Sequence, residues 1–98
     1  MIPGFVSKLS ESSVTAAATI GPPKSDILYL SGSTTIATIR PPGGPGGFSS
    51  VLFIVPLTDA VATTTTGNIA VNVTMPVDRV TVLVYSKQED TWFPGAIS

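Results

Sequence analysis

No stretch of ten or more residues in this chain carries apolar side chains at helical spacing. Short alternating or wholly apolar runs recur instead, cut by turn signals roughly every 8 to 12 residues. That rhythm restricts the chain to sheet architectures. The residue types agree. Val, Ile and Thr supply 32 of 98 residues, and their branched Cβ suits a pleated surface while crowding a helix. Nine Gly and nine Pro, spread along the chain, interrupt helices further.

The runs can be placed. Residues 26–30 predict a strand, Ser31-Gly32-Ser33 a turn, and residues 34–40 a second strand closing a hairpin. The Pro41 to Gly47 run has no place in a central strand, because Pro lacks a ladder donor and Gly adds entropy cost. Residues 50–55 (SVLFIV) predict a strand covered on both faces. Weaker strands follow over 60–65 and 68–74, split by a turn at Thr66-Gly67-Asn68. Over 79–86, Val80, Val82 and Val84 share one face and Thr81, Leu83 and Tyr85 the other, which marks a central strand. Lys87 to Asp90 forms an exposed hairpin tip, Thr91 to Phe93 a last strand, and Pro94-Gly95 its end. The expectation is an all-β fold: a small antiparallel sandwich, barrel or β-prism of six to seven short strands. Residues 1–25, rich in Ser, Ala and Thr, read as an extended N-terminal arm before a β-domain over 26–98. Phe5, Val6 and Leu9 give that arm large apolar groups that suit docking onto a partner.

Several functions are set aside on composition. Five basic residues, scattered along the chain, make no phosphate-neutralising patch, so no nucleic-acid partner is expected. The longest apolar run, Val51 to Leu57, is far shorter than the ~20 residues a membrane-crossing helix needs, so no membrane partner is expected. With no His and no Cys, histidine-based triads and the usual zinc sites cannot form. Carboxylate chemistry is the remaining route to catalysis. Glu89 and Asp90 sit together in a turn, and Asp26, Asp59 and Asp78 flank strands, where Asp supports turns. No enzyme activity and no cofactor are therefore expected. Asn72-Val73-Thr74 fits the glycosylation pattern, but no secretion signal accompanies it, and Asn72 reads as an outward strand residue. Thr63 to Thr66 reads as a polar surface strand.

Only 11% of the residues are charged, against the ~25% usual for soluble domains. A chain so poor in charge covers its surface with partners. Trp92 and Phe93 are adjacent, so one faces in and the other out. With Phe5, Val6 and Leu9, Trp92 is a candidate interface residue; Trp92 and Tyr29 are also candidate ligand platforms.

From Leu30 onward the residues resemble short β-rich virion modules of tailed bacteriophages. Leu30 to Ile39 is similar to a "TGTTTIxTI" segment of those modules. A Pro/Gly loop, an apolar strand ending in Pro56, the Thr65 to Ala70 run and Val84, Tyr85 and Trp92 follow in the same order. The resemblance implies a virion structural protein that works as a homotrimer, assembled in the host cytoplasm. Read as a whole protein of one arm and one domain, the chain suits a capsid decoration or cement protein bound to the major capsid protein. The alternative is a receptor- or glycan-binding module of a tail fibre or spike.

Overall fold

The structure is a computed structural model that describes residues 9–43 and 47–97. Among them are nine strands and no helix. They are β1 (Glu11–Thr15), β2 (Thr19–Ile20), β3 (Ile27–Ser31), β4 (Thr38–Ile39) and β5 (Ser50–Pro56). The series continues with β6 (Val61–Ala62), β7 (Thr74–Met75), β8 (Thr81–Ser86) and β9 (Thr91–Ile97).

The main sheet has five strands in the order β1-β3-β5-β8-β9. The β1–β3 and β3–β5 pairs are parallel, whereas β5–β8 and β8–β9 are antiparallel. A fully antiparallel sheet is therefore corrected to a mixed one, and six to seven strands to nine. The sheet is open, ending at β1 and β9. Each of the first three strands of this sheet is followed by a shorter extended segment in a second layer. There β2 pairs with β4 in parallel, and a parallel bridge from Ile36 to Thr63 continues the stack toward β6. The chain thus winds through three stacked coils, and the antiparallel β6–β7 pair and the β8–β9 hairpin complete it.

This winding replaces the hairpin expected over residues 26–40. Gly32, at a φ of 81°, turns the chain out of the main sheet, and its N–H donates to the Thr58 hydroxyl. Only Thr38 and Ile39 of the second segment form a strand, and they pair with β2. The start of regular structure likewise moves from Asp26 to Glu11. Residues 11–15 form the first strand of the main sheet, and Ala16 and Ile20 lie in the core. Residues 1–8 of the expected arm lie outside the described residues.

Alternation in the strands fixes the core. Leu28 and Leu30 of β3, Leu52 and Ile54 of β5, and Leu83 and Tyr85 of β8 point to one face and are buried. Ile20, Ile36, Ile39, Val61 and Met75 of the second layer join them in one cluster. Burying a side chain of this size contributes ~1.5 to 3 kcal/mol each.

Candidate interaction surface

The other face of the main sheet is also apolar, and among the described residues no strand packs over it. The register places the rows. Glu11, Ile27, Phe53 and Val82 lie opposite one another across β1, β3, β5 and β8. Val51, Val84 and Phe93 form the next row across β5, β8 and β9. Ser13, Tyr29 and Val55 form a third. Val51, Val84 and Phe93 are 44%, 42% and 42% exposed. Ile27, Tyr29, Phe53, Val55 and Val82 are half-buried by their neighbours.

The charge on this surface is confined to one edge. Glu11 of β1 is the one ionic residue in these rows, and its carboxylate accepts a hydrogen bond from the Tyr29 hydroxyl at 2.5 Å. That bond, then burial and the nearby negative charge, raise the Tyr29 phenol above its ordinary 10.0. The β3, β5, β8 and β9 part of the face is a patch of Ile, Val and Phe with a single tyrosine. Contiguous exposed apolar patches on soluble domains are characteristically interaction sites.

Trp92 is not on this surface, which corrects its reading as an interface residue. It is fully buried, and its indole N–H donates to the Ile39 carbonyl at 2.9 Å. Its ring lies 5.2 Å from that of Tyr85, tilted by 52°. The outward member of the aromatic pair is Phe93. Tyr29 does lie on the outer face, with its hydroxyl engaged by Glu11. Leu9 is exposed ahead of β1, at one end of the sheet edge, while Phe5 and Val6 lie outside the described residues.

The remaining candidates have structural roles. Thr63 is buried, not part of a surface strand. Its hydroxyl donates to the Val71 carbonyl at 3.1 Å and accepts from the Val73 N–H at 3.0 Å. Residues 68–73 do not form the expected strand, because Asn68 is used differently. Its side chain accepts from the Ile39 N–H at 3.0 Å and donates to the Ile39 carbonyl at 2.6 Å, acting as a strand partner for β4. Its own carbonyl accepts the Trp92 N–H at 2.8 Å, which ties the second layer to β9. Asn72 is exposed. Asp78 and Asp90 adopt φ of 59° and 50° in turns, a conformation Asp tolerates better than most residues. Asp90 also accepts a hydrogen bond from the Tyr85 hydroxyl. Among the described residues, no three of His, Cys, Asp or Glu gather as metal ligands would.

Val51, Val84 and Phe93, the most exposed row of this face, are not singled out by the sequence alone. The usable signal is parity. Once Leu83, Tyr85 and Trp92 are assigned inward, Val82, Val84 and Phe93 must point outward. Comparison with family models, with curated proteins and with solved structures returns no match for this chain.

Proposed function

We propose that this protein is a bacteriophage virion subunit, a capsid decoration protein that works as a homotrimer and binds the shell. The single observation that carries the reading is the uncovered apolar face of the main sheet, which has Val51, Val84 and Phe93 at its most exposed row. The ordered motif series from Leu30 to Trp92 gives the virion context by resemblance. In this account the two layers act as a small sandwich. Its inner faces make the core, and its outer face packs against sister copies. Standard protein interfaces bury roughly 800 Å² per partner, and a sheet face of this breadth supplies a large part of that. The shell then adds further contacts, which stabilise it by bridging neighbouring capsomers.

Two measurements test the reading. Light scattering should give a mass of about three chains of 10.1 kDa. Val84→Lys, which places a charge in the middle of the face, should return it to one chain while leaving the fold intact. Addition of the protein to undecorated particles should then give saturable binding and a higher shell disruption temperature. A monomer that ignores such particles would sink the proposal.

A further inference from the structure

The two ends of the main sheet are finished differently. At β9 the outer edge is closed. The Trp92 N–H donates to the Asn68 carbonyl at 2.8 Å, and the Trp92 carbonyl accepts from the Ala70 N–H at 2.9 Å. Pro94 further along removes a donor. At β1 the sheet ends, among the described residues, with no further strand. Beside it lies a cleft of about 440 Å³ lined by Val14, Ile20 and Leu28 among others.

The backbone groups of β1 that point away from β3 can be identified. The Ser10 carbonyl accepts from the Ile27 N–H at 3.0 Å, and the Ala16 N–H donates to the Ser31 carbonyl at 2.7 Å. In a parallel ladder, the backbone groups of alternate residues bond to the same neighbour. Ser10, Ser12, Val14 and Ala16 therefore serve β3, and Glu11, Ser13 and Thr15 turn their N–H and C=O outward. Native edges are usually blunted by Lys, Pro, a bulge or a covering loop. The sequence Glu11-Ser12-Ser13-Val14-Thr15 contains neither Lys nor Pro, and four of its five residues are exposed.

We propose that β1 pairs antiparallel with β1 of a second copy of this chain, about a two-fold axis at Ser13. The edge is self-complementary in that register. Ser13 faces the partner's Ser13, and Glu11 faces the partner's Thr15. All three outward residues fall at positions where opposed residues exchange both backbone bonds. The one charge on the strand meets a threonine rather than its own twin, so no like-charge repulsion opposes the contact. The small Ser13 side chains let the backbones approach. The result is one continuous sheet across two chains, in which the polar Glu11, Ser13 and Thr15 side chains of the two β1 strands lie between the apolar parts of the two outer faces. This contact goes beyond the face-to-face association proposed above and is independent of it. A five-residue edge is a small interface, so it forms as concentration rises, joining trimers edge to edge.

The test exploits the absence of cysteine from the chain. Ser13→Cys introduces a single thiol. In the proposed register its Cα lies ~5.5 Å from its twin, within the range that a disulfide spans. Mild oxidation of the full chain should convert most of Ser13→Cys to a covalent dimer, while Gln88→Cys, at the hairpin tip, stays largely monomeric on a denaturing gel. Ser13→Pro removes an outward donor and leaves the β3 ladder whole. Ser13→Lys sets two positive charges against each other and serves if the proline variant does not fold. Either should lower the mass reached at high concentration to that of three chains, with the circular-dichroism spectrum unchanged. Equal cross-linking of the two cysteine variants, or a mass unaffected by both Ser13 substitutions, overturns the proposal. The two interfaces fail separately. Val84→Lys should leave the Ser13→Cys cross-link in place, whereas loss of edge pairing alone leaves three chains.

Discussion

Asn68 holds more of this fold together than its place in a predicted turn suggests. Its amide satisfies both backbone groups of Ile39, and its carbonyl holds the Trp92 N–H. Asn68→Ala would orphan the Ile39 N–H in a partly buried place, at a cost of ~2 kcal/mol, read as a lower urea midpoint. Thr81 presents the opposite case. Its hydroxyl is buried with no hydrogen-bond partner among the described residues. Thr81→Val keeps the shape and removes the unpaired group, so the same urea titration should show a gain of about 1 kcal/mol. Tyr85 gives a pH dependence. The hydrogen bond to Asp90, then burial and the Asp90 charge, raise its phenol above 10.0. The folded state favours the protonated form. Its contribution is complete below 10.0, the unfolded value, and is lost as pH climbs through the raised folded value. Stability should therefore decline above pH 10.0, and Asp90→Asn should move the tyrosinate absorbance titration of Tyr85 back toward that value.

At the scale of elements, β5, β8 and the Lys87 to Asp90 tip were legible because their signals are local. Val80 to Tyr85 alternates on adjacent residues, and a polar tetrad marks its own turn. The parallel pairing was not legible. β1 meets β3 across sixteen positions, Glu11 against Ile27, and nothing near either residue names the other. The two-residue strands β2, β4, β6 and β7 are too short to carry a period of their own. The last strand continues through Pro94 and Gly95 because Pro94 lies on the sheet edge, where a missing donor is tolerated. The candidate surface was half legible: low charge suggested a surface for partners, and adjacency showed that one of Trp92 and Phe93 faces out, but the residues alone did not say which. The turn at Gly67 is an element-level constraint of another kind. A Cβ there would collide with the Ala37 carbonyl and the Thr38 hydroxyl, both in or next to β4. Gly67→Ala should cost ~1 to 3 kcal/mol and lower the thermal midpoint by several degrees.

For the whole molecule, the organising feature is one sheet with two apolar faces and, among the described residues, a second layer on one of them. The inner face takes Leu28, Leu30, Leu52, Ile54, Leu83, Tyr85 and Trp92 out of water. The outer face leaves Val51, Val84 and Phe93 in it, and a charged fraction of 11% offers little elsewhere to keep single copies apart. Association of copies, as proposed above, removes that surface from water. The most direct measurement is the mass of the intact chain by light scattering at micromolar concentration, beside Val84→Lys. The account predicts about three times 10.1 kDa for the parent and about 10.1 kDa for the variant. A parent that stays at one chain mass as concentration is raised, with its outer face permanently wet, would contradict it.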